Sequence, residues 1–329
     1  MGGVVAQLLP GTPHFTEKDI PSLIGKVFIV TGGNSGVGFE LVKILYSKGG
    51  TVYIASRSPT KVATAIEEIK SSNPQSQGHL KSLHLDLGDL TTILPCATAF
   101  LAQESRLDVL WNNAGIARAP VGSLSAQGHE AHMGTNCLGH YLLTKLLLPV
   151  LIKTARVLPK ASVRVVFTYS GIVDIQGGSL GVSLAELGPG KHAKTVELNY
   201  GASKTGNWLL PSEFDKRYRA DGVVFVTQTP GTLKNKGFDE LPWAMKTLAK
   251  FFIYEPVFGA YTELWCGLSS DVKAEDGGRC AIPWGRWHPS PRKDILEGLK
   301  LKEEGGTGLA ADFWDWCEEN TKMFAGAAA

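Results

Sequence analysis

The chain has 329 residues, 43% of them hydrophobic and 19% charged, with a formal net charge of +2. That composition suits a globular fold with one sizeable core, and without a basic block or stripe it excludes nucleic acid and anionic membrane as default partners. Five cysteines, at 96, 137, 266, 280 and 317, form no CxxC or Cys/His cluster, which predicts reduced structural thiols, no metal site and a cytoplasmic location.

The first 25 residues, rich in Pro, Gly and charge, read as a loose N-terminal arm without the charged start and apolar run of a secretory signal. From Lys26 onward, short β-branched runs alternate with helical patterns. "KVFIVTG" (26–32) predicts a buried strand, and "GVGFELVKILYSKGG" predicts a helix that stops on glycines. "TVYIAS" (51–56) is strand-like, and "PTKVATAIEEIKSS" opens a helix on an early proline. Further strands are expected within 80–87, 107–115, 162–170 and 222–231, with helices near 90–104, 130–154 and 200–219. The apolar stretch "YLLTKLLLPVLI" carries a lysine and a proline and is too short to span a bilayer.

Strands that are apolar throughout, alternating with helices, predict an α/β protein. The expected fold is a single Rossmann-type doubly wound parallel sheet with helices on both faces. Residues 26–285 read as one domain, with a lid over the substrate at about 232–256 and a final strand on the same sheet. Residues 286–329 read as a C-terminal helical extension, closed by the amphipathic "FWDWCEENTKMF".

"TGGNSGVG" (31–38) sits where the first strand gives way to the first helix. Gly32 allows a tight turn, Gly36 lets a ligand approach the backbone, and Gly38 lets helix and strand pack closely. With Asn34, Ser35 and Val37 they place free N–H groups and the positive end of a helix dipole where a pyrophosphate would bind. At the end of the second strand, "ASRSPTK" offers Arg57 and no carboxylate. A guanidinium there would pair with a 2′-phosphate, which predicts NADP(H) as cofactor.

Two Tyr–Lys pairs have the four-residue spacing that shares one helix face: Tyr141 with Lys145, and Tyr200 with Lys204. Tyr141 is flanked by leucines and reads as packing, with its hydroxyl at the surface or satisfied locally and Lys145 on a solvated edge. Tyr200 opens the next long helix among Gly201, Ala202 and Ser203, small neighbours that would let two ligands approach.

The T-G-x-x-x-G-x-G spacing, Asp86–Leu87, "NNAG" (112–115), Asn136, Ser170, "YGASK" (200–204) and Pro230–Gly231 occur in one order across about residues 25–285. Together they resemble the short-chain dehydrogenase/reductase family. Ser170 and Tyr200 stand 30 positions apart, farther than in compact members. That interval resembles the retinol-dehydrogenase-like branch, in fungal-type members associated with secondary metabolism. The resemblance implies that Asp86 and Leu87 lie near the adenine, that Asn113, Ala114 and Gly115 line the cofactor's floor, and that Pro230, Gly231 and Thr232 contact the nicotinamide amide.

It also implies that Tyr200 is the acid and base, that Lys204 holds the nicotinamide ribose, and that Ser170 hydrogen-bonds the substrate oxygen. Asn136 would hold a water linking Lys204 to solvent. A free tyrosine has a pKa near 10, so the ammonium and a positive nicotinamide are expected to lower it toward neutrality. Tyr169 would either line the substrate pocket or fill a gap. Leu233, Phe238, Leu241, Trp243, Met245, Phe251 and Phe252 suggest an apolar pocket for a bulky carbonyl or alcohol. Family habit implies a homo-oligomer built through the two long helices.

These expectations describe an NADP(H)-dependent oxidoreductase acting on a small-molecule ketone, aldehyde or alcohol. A non-redox enzyme on the same scaffold and a non-catalytic NADP(H) sensor are the alternatives. An intact Asn136/Ser170/Tyr200/Lys204 set argues against the sensor, which needs no proton-transferring tyrosine.

Overall fold

Each inner strand is apolar on both faces because helices cover both. In β1 (Val27–Thr31), Phe28 and Val30 point to one core, and Val27 and Ile29 to the other. The structure, a computed structural model, describes residues 2–176, 181–188, 190–234 and 253–326. Within them the chain begins with helix α1 (Gly2–Leu8) and reaches β1, α2 (Gly36–Ser47), β2 (Thr51–Ser56), α3 (Pro59–Ser72), β3 (His79–His84) and α4 (Ile93–Leu101). There follow β4 (Val109–Asn112), α5 (Ala131–Ala155), β5 (Val163–Thr168), α6 (Ile172–Gln176), α7 (Val196–Tyr218) and β6 (Val223–Gln228). The last elements are α8 (Pro256–Leu268), β7 (Cys280–Ile282), β8 (Arg286–Trp287), α9 (Lys293–Leu299) and α10 (Leu309–Thr321).

The eight strands form one sheet in the order β3-β2-β1-β4-β5-β6-β7-β8. All pairs are parallel except β7 with β8, a short antiparallel closure absent from the sequence expectation. The edge strand β3 buries only Leu80 and Leu83, whereas β1, β4, β5 and β6 are buried throughout. Helices α4, α5, α7 and α10 pack on one face, and α2, α3 and α8 on the other.

Helix α5 is long and apolar enough to cross a membrane by length and composition, but 72% of its apolar window is buried inside the protein. Its second turn, Gly134–Leu138, is a π-helical segment carrying Asn136, a local widening common near functional sites. Strand order reverses between β1 and β4, so connections leave the sheet in opposite directions there and a crevice opens at the strands' carboxyl ends.

Candidate active site

A cleft of about 1410 Å³ fills that crevice, larger than the roughly 300–1,000 Å³ of an ordinary ligand pocket. The loop after β1 forms its base. Gly32 and Gly36 both adopt left-handed φ, +68° and +58°, which glycine tolerates without a Cβ penalty. A Cβ on Gly36 would meet nothing within 4 Å, while one on Gly38 would stand 2.6 Å from Asn113 Nδ2. Gly36 thus faces open cleft and Gly38 closes the helix onto the sheet. Ser35 opens α2 without a side-chain cap, leaving the helix's first N–H groups to a ligand.

The floor is tied down from β1. Thr31 Oγ1 accepts from Ala114 N at 2.9 Å, and Asn113 Nδ2 donates to Thr31 O at 2.8 Å. Gly115 follows, within about 3 Å of both Asn136 Oδ1 and Lys204 Nζ when measured from an added Cβ. At the far end Arg57 and Lys61 line the cleft beyond β2, together with Asn34, Val37, Asp86 and Leu87. Asp86 Oδ1 accepts from Gly88 N at 3.0 Å and so shapes that rim. Pro230, Gly231 and Thr232 line the opposite side.

Across the cleft, Ser170, Tyr200 and Lys204 come together. Ser170 follows β5; Tyr200 and Lys204 stand on successive turns of α7, whose N-terminus is capped by Thr195 Oγ1 accepting from Leu198 N at 3.2 Å. Ser170 and Tyr200 line the same cleft despite standing 30 positions apart, and the Ser170 hydroxyl acts to lower the phenol's pKa. Lys204 is buried; its Nζ donates to Thr168 O at 3.0 Å and lies 5.8 Å from the Tyr200 ring centroid. Behind that ring, His132 packs edge-on at 6.0 Å and is held by Glu130 Oε1 at 2.7 Å.

Burial sets the charges of Tyr200 and Lys204 before any cofactor binds. The Tyr200 pKa is raised by burial, with only the Ser170 hydrogen bond opposing it. The Lys204 ammonium faces the Thr168 carbonyl and the flat of the ring rather than the phenol oxygen. Burial instead lowers Lys204 itself, to about 8. The Asn136 side chain is also committed to protein partners: Oδ1 accepts from Ile116 N at 2.9 Å, and Nδ2 donates to Ile116 O and Ser203 Oγ at 3.0 and 2.9 Å.

Residues unseen in the sequence complete the site. The N-terminal arm is not loose: α1 packs over the cleft beside Gly171, and Gln7 and Leu8 line it. Gln7 is buried and its Nε2 donates to Asp174 Oδ2 at 3.0 Å, while Trp284 Nε1 donates to Gly11 O at 3.0 Å. Tyr169 is buried against Trp208, with its hydroxyl donating to Asp174 at 3.4 Å, and it also lines the cleft. Beneath Lys204 lie Thr168, Gln228 and Glu263, a polar group inside the core; a lone glutamate in the apolar "GAYTELWCGL" was the available signal. Of the expected lid, Leu233 lines the cleft, whereas Phe238, Leu241, Trp243, Met245, Phe251 and Phe252 lie outside the described residues.

The competing pair is structural. Tyr141 is buried against Phe214 and Trp314, and its hydroxyl donates to Glu318, which also pairs with Lys145 at 3.2 Å.

A doubly wound sheet, a glycine turn at its switch point and a Ser–Tyr–Lys set across the cleft define a protein of the short-chain dehydrogenase type. Residues 26–177 match the family model for short chain dehydrogenase. The chain is 47% identical over 322 residues to the short-chain dehydrogenase/reductase iacJ of Pestalotiopsis fici, covering 96% of each. It is 46% identical to a short-chain dehydrogenase/reductase of Phomopsis amygdali, covering 97% of this chain and 96% of that one. The crystal structure of an uncharacterized protein from Mycobacterium paratuberculosis superposes with a TM-score of 0.66 at 28% identity, covering 94% of this chain and 97% of that one. The chain belongs to the short-chain dehydrogenase/reductase family.

Proposed function

We propose that the protein is an NADP(H)-dependent oxidoreductase that interconverts a ketone or aldehyde with its alcohol on a bulky, apolar small molecule. The observation that carries this reading is the meeting of Ser170, Tyr200 and Lys204 in the wall of a cleft whose base is the glycine turn. The residues present fit a dinucleotide: open space over Gly36, uncapped N–H groups at α2, and Arg57 with Lys61 at the far end. Arg57 would take the 2′-phosphate, and no carboxylate ends β2 to oppose it.

When bound, the cofactor supplies the hydride and, once oxidised, a positive charge near Tyr200. Tyr200 then donates its phenolic proton to the carbonyl oxygen in reduction, or accepts it in oxidation. The Ser170 hydroxyl orients that oxygen and stabilises charge developing on it. Lys204 holds the ribose, and Asn136 keeps the loop at Ile116 in place beside it. Leu8, Ile172, Ile175 and Leu233 give the substrate end its apolar wall.

The test is NADPH consumption against a panel of bulky ketones and aldehydes, with NADH in parallel. Turnover that prefers NADPH supports the reading; tight NADPH binding with no turnover of any carbonyl would overturn it in favour of a non-redox role.

A further inference from the structure

Helix α8 carries one carboxyl group in a buried stretch. Glu263 is fully buried, as are its neighbours Thr262 and Leu264. Its Oε1 accepts from Gln228 Nε2 at 3.1 Å and from Thr168 Oγ1 at 3.3 Å, while Oε2 has no partner among the described residues. An unpaired buried polar atom destabilises the fold, so packing alone gives no reason for an acid here. Gln228 Nε2 also donates to Thr168 Oγ1 at 3.0 Å. The Thr168 side chain is therefore held by Glu263 and Gln228. Its main-chain oxygen receives Lys204 Nζ and Asn207 Nδ2, each at 3.0 Å.

We propose that Glu263 is a positioning residue for Lys204: it fixes Thr168 so that its carbonyl meets the ammonium, and its carboxylate keeps that ammonium charged where water is excluded. The inference rests on Lys204 acting as the ribose-holding member of the proposed oxidoreductase site.

The surrounding groups leave these two to titrate against each other. Cys137 on α5 and Cys266 on α8 are pushed up by burial and stay thiols. His140 on α5 is driven down to about 3 by burial and stays neutral. Tyr200 is raised by burial, and Arg164 on β5, lowered to about 10 by burial, stays cationic. Burial raises Glu263 to about 8 and lowers Lys204 to about 8, and each favours the charged form of the other. The two titrate as a coupled pair, and a negative charge on the carboxyl favours the proton on the ammonium. Without the carboxyl, the ammonium is lost at lower pH.

Glu263→Gln, which keeps the side chain's size, tests this through NADPH affinity measured by fluorescence from mildly acidic to alkaline pH. The variant is expected to bind like the wild type on the acidic side and to lose affinity about one pH unit earlier, the lower end of what a nearby opposite charge does. Coincident pH profiles would overturn the proposal. Because binding needs no substrate, failure to find a reducible carbonyl leaves this result intact. If the variant does not fold, or if NADPH does not bind, NMR of isotope-labelled glutamate carboxyls decides. The Glu263 midpoint should move to higher pH in Lys204→Met, and an unchanged midpoint would overturn the coupling.

Discussion

Lys204 donates from Nζ to the main-chain carbonyl of Thr168 at 3.0 Å, so the residue two before Ser170 anchors the residue four after Tyr200. This contact locks the end of β5 to the first turns of α7. Burial holds Lys204 at about 8, below its ordinary 10.5. The cost of burying the charge is therefore full below about pH 8, shrinks as pH rises, and vanishes above 10.5. Lys204→Met should abolish turnover yet stabilise the fold at neutral pH by about 1–3 kcal/mol, since Thr168 O keeps Asn207 Nδ2. Thermal melts at neutral pH and above pH 10.5 check it: a variant that melts below the wild type at neutral pH contradicts the sign.

Tyr200→Phe should lower kcat by roughly 10²–10⁴, the usual contribution of a positioned acid–base group, with little change in melting temperature. Tyr141→Phe should do the reverse, keeping turnover and losing about 1 kcal/mol of stability with the bond to Glu318. Steady-state rates and denaturant melts on the two variants separate the roles, and an inactive Tyr141→Phe would reverse the assignment.

Arg57 sits at the rim of the cleft beyond β2. Arg57→Ala should raise KM for NADPH about 10- to 100-fold, the worth of one charge-assisted contact, and leave KM for NADH nearly unchanged. Equal effects on both cofactors would remove Arg57 from 2′-phosphate recognition.

Removing residues 2–11 takes away α1 and the Gly11 carbonyl that Trp284 holds. Because Gln7 and Leu8 line the cleft on the Gly171 side, KM for the best carbonyl in the panel should rise by about tenfold, a loss of ~1.4 kcal/mol, while NADPH affinity stays constant. A truncated chain with unchanged carbonyl KM would place α1 outside the substrate pocket.

The outer faces of α5 and α7, through which the family resemblance implies oligomers form, carry α10. Phe313 meets Gly206, Trp314 packs edge-on against Phe214 and Tyr141, and Arg217 lies 4.4 Å over Trp314. Light scattering is expected to give the mass of a single 35.3 kDa chain. A dimer that persists on dilution would require another face.

Strands and helices were legible because their signals are local. β1, β2 and β4 through β6 stand where the apolar runs place them, and the glycine turn joins β1 to α2 as its spacing requires. Ser170, Tyr200, Lys204 and Asn136 could be picked out by resemblance, and leucine neighbours rightly marked Tyr141 as core.

The tertiary structure alone decided what each group experiences. Gln7 closes the site from a position 281 residues away from His288, beside which it packs, and Glu263 reaches Thr168 across 95 residues. The direction of the Tyr200 shift, the lowered Lys204 and the buried acid beneath it follow from burial, which depends on every element packed around a group. Periodicity along the chain reports which face of an element is apolar. It does not report which distant segment covers that face, and in this protein that covering determines the site's charges and its walls.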